Sequence, residues 1–89
     1  MVMPKVRLVM AQTNPIVGDI SGNLAQTLTA IDEARASGAN MVVFGEMNLS
    51  GYPIEDLAAR ESFVQAAVQA VESLANTLKS DEYAGMCVV

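Results

Sequence analysis

Met41-Val42-Val43-Phe44-Gly45-Glu46, followed shortly by Gly51-Tyr52-Pro53, is the stretch on which the reading of this chain turns. Four successive apolar residues, two of them valines and one aromatic, predict a buried strand over Met41–Phe44. The run passes without a break into a carboxylate and then into a loop built from Gly, Tyr and Pro. In an open α/β sheet, ligands bind just outside the carboxyl ends of the strands. Glu46 is therefore a candidate catalytic group. Partial burial there would raise its pKa toward values suited to a general base. The plain alternative is a strand-end glutamate that pairs with a lysine or caps a neighbouring helix.

On the amino-terminal side, Val6, Leu8, Val9, Met10 and Ala11 follow Pro4 as a short β-rich run, which stops at the turn-forming pair Asn14-Pro15. Leu24, Leu28, Ile31 and Ala34 then recur at helical spacing. They predict a helix between Ser21 and Ser37, with Ser21 as N-cap and Gly38 as a left-handed stop. No Glu or Gln stands three residues after Ser21, so the cap lacks its box partner and the start can shift by a turn. Beyond the Gly51-Tyr52-Pro53 turn, Glu55–Ala59 reads as a brief helical turn. Val64, Ala67, Val68, Val71, Ala75 and Leu78 predict an amphipathic helix over Glu61–Lys79 that covers a sheet. Tyr83–Val89 reads as a third strand.

The alternation strand, helix, strand, helix, strand predicts an α/β fold with right-handed crossovers and parallel strands. The ends of the first two strands, with Asn14 and Glu46, then share one rim. A chain that finishes on an apolar strand leaves that strand's other side uncovered, from which a continuation past Val89 is expected.

At 89 residues the chain holds one domain at most. Hydrophobic residues make up 52% and charged residues 17%, a balance that demands a packed core and excludes intrinsic disorder. Ten acidic against five basic residues give a net charge of −5, which argues against a nucleic-acid or anionic-membrane partner. There is no histidine and a single cysteine, Cys87. An internal disulfide and a His/Cys metal site are thus excluded within this chain. A lone thiol without an export signal or membrane-length apolar run predicts a reducing, cytoplasmic setting. The pairs Asp32/Glu33, Glu55/Asp56 and Asp81/Glu82 read as solvated surface rather than as Mg²⁺ ligands. Gly18 and Gly22 lack the spacing of a phosphate-binding loop and read as turn glycines.

Ala11-Gln12-Thr13-Asn14-Pro15-Ile16-Val17-Gly18-Asp19-Ile20 with Asn23, and Phe44-Gly45-Glu46 with Gly51-Tyr52-Pro53-Ile54-Glu55-Asp56-Leu57, together carry a family resemblance. The chain resembles the nitrilase-superfamily carbon–nitrogen hydrolases, in the branch formed by the glutaminase domains of glutamine-dependent NAD synthetases. The resemblance runs over essentially the whole chain. It implies the amino-terminal βαβαβ part of a nitrilase-like α-β-β-α sandwich, truncated after the third strand.

It also implies a Glu, Lys, Cys mechanism acting on glutamine, with Glu46 matching the general base and the Lys and Cys supplied from outside residues 1–89. Tyr52 is a candidate wall of the substrate pocket, with a packing role as the alternative. ATP and Mg²⁺ are implied only for a separate synthetase domain, and no cofactor or metal is expected in this chain. The remainder of the same protein is the implied partner, within a homo-oligomer. Gly45 stands where the family usually has proline, which frees the backbone before Glu46. Cys87, set in an apolar strand without a Lys, His or helix N-terminus beside it, is not assigned as the nucleophile. Neither Lys5 nor Lys79 has the context of the catalytic lysine, and Lys79 reads as a complement to a helix C-terminus. Two other readings remain open: a stand-alone nitrilase-like amidase, and a non-catalytic interaction module derived from half a hydrolase.

Overall fold

The computed structural model describes residues 5–89, so Pro4, read above as bounding the first strand, lies outside the described residues. Three parallel strands, β1 (Leu8–Ala11), β2 (Met41–Phe44) and β3 (Cys87–Val88), lie in the order β1-β2-β3. Helix α1 (Ile20–Ala36) connects the first two, and helix α2 (Glu61–Leu78) connects the second and third. Single 3₁₀ turns occupy Glu55–Ala59 and Asp81–Tyr83. Two crossovers of the same hand, stepping the same way across the sheet, place both helices on one face.

That face carries the core. Ile31 and Val42 are wholly buried, and Ala34, Ala39 and Tyr83 join them. Val9, Ala11, Phe44, Leu74, Leu78, Met86 and Val88 pack around this cluster. Burial of Ile31 and Val42 contributes about 1.5–3 kcal/mol each. Strand alternation sends Leu8, Met10 and Cys87 to the opposite face. Among the described residues no helix covers that face, and these three are exposed.

Several local expectations shift. Helix α1 starts two residues earlier than read, with Asp19 rather than Ser21 as its N-cap, because the Asp19 carboxylate accepts from the Gly22 amide at 3.1 Å. The inward line of α1 is Asn23, Thr27, Ile31 and Ala34, whereas Leu24 and Leu28 are half-buried. Gly38 does take the left-handed stop, at φ 84°. On α2, Ala70 is buried and Phe63, Ala66, Leu74 and Leu78 are half-buried, but Val64, Val68 and Val71 are exposed. The helix presents a neighbouring stripe, in which alanines allow closer packing than valines.

The third strand is confined to Cys87–Val88, since Tyr83 belongs to a turn that Ser80 caps through the Glu82 amide. The Tyr83 hydroxyl donates to Asp32 Oδ1 at 2.6 Å, the Arg35 guanidinium lies over its ring, and Arg35 pairs with Glu82 at 2.9 Å. The hydrogen bond to Asp32 raises the Tyr83 pKa above the ordinary tyrosine value, helped by desolvation and by the charges of Asp32 and Glu82, with Arg35 opposing. Asp32 and Glu82 are thereby committed to the fold. No helix among the described residues is long and apolar enough to cross a membrane.

Candidate active site

Parallel pairing in the register Leu8↔Met41 through Ala11↔Phe44 brings the carboxyl ends of β1 and β2 to one rim. A hollow of about 460 Å³ opens there. The β1 side contributes Gln12, Thr13 and Pro15, and the β2 side contributes Gly45, Glu46 and Asn48. Among the described residues lining this hollow, Glu46 is the one titratable side chain. Glu46 is exposed rather than partly buried, because only one sheet and one layer of helices stand around the rim. A larger groove, of about 660 Å³, runs along β1 and α1 past Ala25, Ala30 and Glu33. It meets the strand-end rim at Gln12 and Thr13 but otherwise follows the outer edge of β1 and does not include Glu46, so the smaller hollow, at the ends of both strands, is the candidate site.

The loop carrying Glu46 is fastened to the rest of the chain at several points. Thr13 Oγ1 donates to Asn48 Oδ1 at 2.6 Å, and Asn48 Nδ2 donates to Thr27 Oγ1 at 2.6 Å. Thr27 Oγ1 in turn donates to the Asn23 carbonyl at 2.8 Å. Buried Asn23 accepts from the Ile16 amide and donates to the Ile16 and Leu49 carbonyls, each at 2.8 Å. The Gly18 amide donates to the Ser50 carbonyl at 2.9 Å. Gly51 sits at φ 82°, and a Cβ there would fall 2.5 Å from Val17 Cα, so only glycine lets the two loops touch.

Of the residues singled out in the sequence, Glu46 reaches the hollow and Tyr52 does not. Tyr52 is 71% exposed and is not among the residues that line the hollow. Asn14 is likewise not among the lining residues; Gln26 clasps its backbone N–H and C=O at 3.2 and 3.1 Å. Cys87 is exposed rather than buried, and it pairs in register with Met41 at the opposite end of β2. Five residues at the strand rise separate that level from Glu46, about 16 Å. Asn23, Thr27 and Asn48 were not singled out as site supports. The available signal was a polar pair, Asn23 and Thr27, in helical line with the core residues Ile31 and Ala34.

The model of the family described as carbon–nitrogen hydrolase matches residues 7–87. The chain belongs to the carbon–nitrogen hydrolase family. It is 43% identical over 63 residues to a glutamine-dependent NAD(+) synthetase of Thermotoga maritima, covering 71% of this chain and 11% of that relative. A glutamine-dependent NAD(+) synthetase of Rhodobacter capsulatus is 37% identical over 71 residues, which cover 80% of this chain and 13% of the relative. An aliphatic nitrilase of Sinorhizobium fredii is 39% identical over 51 residues, covering 57% and 17%. The matched part of this chain thus spans between a tenth and a fifth of the length of these relatives.

Proposed function

We propose that residues 1–89 form the amino-terminal part of the glutaminase domain of a glutamine-dependent NAD synthetase, and that Glu46 is its general base. One observation carries the reading: the titratable side chain on the strand-end hollow is the glutamate that the family resemblance matches to that role. In this scheme Glu46 takes the proton of a cysteine thiol, and the thiolate attacks the side-chain amide carbon of glutamine. A lysine ammonium stabilises the oxyanion. Glu46 returns the proton to the leaving nitrogen, ammonia departs, and a γ-glutamyl thioester remains. Water then attacks the thioester and releases glutamate. The lysine and cysteine come from polypeptide beyond residue 89, whose second sheet would cover the open face bearing Leu8 and Met10.

ATP and Mg²⁺ belong to the amidation of nicotinic acid adenine dinucleotide in a separate domain. Within residues 1–89, Asp32 is bonded to Tyr83 and Glu82 to Arg35. Tyr52, exposed beside the hollow, is available to wall the pocket only once the rest of the domain packs against this rim.

Glu46→Gln in the complete protein tests the reading. Glutamine-dependent NAD formation is expected to vanish while synthesis from added ammonia persists, because only amide hydrolysis needs the base. Loss of both activities would make Glu46 structural, and retention of both would remove it from the mechanism. The isolated 89 residues, lacking the lysine and cysteine, should show no glutaminase turnover. The nitrilase relative supports a second reading, a stand-alone amidase. Glutamine or nitrile turnover without any NAD synthesis by the complete protein would favour it.

A further inference from the structure

We infer that Asn48 is a positioning residue, clamped between Thr13 and Thr27 so that the backbone turn it anchors aims the Glu46 carboxylate into the hollow; this rests on Glu46 being the general base. Among the described residues no hydrogen-bonding partner fixes Glu46 directly, and its carboxylate makes no ion pair. Gly45 before it has no side chain, and a Cβ built there would meet nothing within 4 Å. Met47 after it holds φ 56°, a left-handed conformation that costs a side-chain-bearing residue about 1–2 kcal/mol. Such a conformation persists only where the surroundings over-determine it. Here they do so through the next residue, Asn48, and through the Gly51 amide, which donates to the Met47 carbonyl at 2.8 Å.

The direction of each hydrogen bond in the clamp is fixed. Thr27 spends its one hydroxyl proton on the Asn23 carbonyl, so its oxygen can only accept from Asn48. The Asn48 amide nitrogen must therefore face Thr27, which turns Asn48 Oδ1 toward the Thr13 hydroxyl. One amide thus ties the loop after β2 to the loop after β1 and to α1, two residues from Glu46. Displacement of a reacting group by about 1 Å can lower a rate about 100-fold.

The test uses the complete protein with glutamine as substrate. Asn48→Ala, Thr13→Val and Thr27→Val should each lower kcat by roughly 10–100-fold with KM changed less than about 3-fold, and should leave ammonia-dependent synthesis intact. Thr27→Ser, which keeps the oxygen, should restore kcat to within about 3-fold of wild type. Amide exchange in the complete protein, read over residues 1–89, supplies a readout independent of activity: Asn48→Ala should speed exchange at Gly51 while leaving the amides of α2 unchanged. Faster exchange throughout the chain with no specific change in kcat would assign Asn48 to stability alone and overturn the inference. So would unchanged kcat in Thr13→Val, whose site lies on the loop after β1 and outside both helices. Glu46→Gln, run alongside, separates the two failures. If it leaves glutamine turnover intact, the base assignment is wrong; if it abolishes turnover while the clamp variants do not, only the positioning role is wrong.

Discussion

Replacing Asn23 with alanine should destabilise the chain far more than its position in an ordinary helix suggests. The side chain is 1% exposed and makes three hydrogen bonds of 2.8 Å, all to the backbone of the two loops that frame the hollow. At a net of about 1 kcal/mol per bond the loss is about 3 kcal/mol, offset by roughly 0.5 kcal/mol of improved helix propensity. A net loss of about 2–4 kcal/mol is expected once the orphaned Ile16 and Leu49 groups are included. Against a total of about 4–13 kcal/mol for a chain of this size, that is a large fraction, and it corresponds to a fall in Tm of roughly 10–25 °C. Urea unfolding followed by circular dichroism at the helix band measures it directly. Gln26→Ala is the matched control, because Gln26 clasps the Asn14 backbone in the same fashion but in solvent. Water replaces its bonds, so its loss should stay below about 1 kcal/mol. If Asn23→Ala were no more costly than Gln26→Ala, the view that Asn23 holds the two loops together would be refuted.

Gly51→Ala combines a positive φ with a Cβ 2.5 Å from Val17 Cα, and should cost more than about 2 kcal/mol in the same unfolding assay. Gly45→Ala should do the opposite, stabilising by about 0.4–1 kcal/mol, because its Cβ would stand in open space and the unfolded chain loses freedom. Tyr83 should titrate above the ordinary tyrosine range, and Asp32→Asn should bring it down, as read from the ring carbon resonance. Because the folded-state value is raised, the stability tied to Tyr83 is fully present below the ordinary tyrosine pKa. It is lost as pH climbs through the raised one, so the difference between wild type and Tyr83→Phe should shrink only in alkaline solution.

Elements whose signal is local were legible in the sequence. Met41–Phe44 and the Glu55–Ala59 turn were read with the bounds they have, and Gly38 closes α1 as its position suggested. What could not be read depends on contacts between distant segments. Hydropathy spacing treats Asn23 and Thr27 as surface, because their partners at Leu49 and Asn48 lie more than twenty residues away. Two apolar stripes interleave on α2, and periodicity alone cannot say that the one through Ala66 and Ala70 turns inward while Val64, Val68 and Val71 stay exposed. Tyr83 looked like a strand residue, yet its hydroxyl reaches Asp32 across 51 positions and holds the chain in a turn. The position of Glu46 at a strand end was readable; its exposure was not, since that depends on how much of the rim is walled.

The most direct test of Glu46 as the base is the rate at which a glutamine-shaped chloromethyl ketone alkylates the hydrolase thiol of the complete protein, measured across pH for wild type and Glu46→Gln. If Glu46 withdraws the thiol proton, the variant should react at least about 100-fold more slowly at neutral pH and recover as the pH passes the free-thiol pKa of about 8.5. Equal rates at pH 7 in the two proteins would contradict the account.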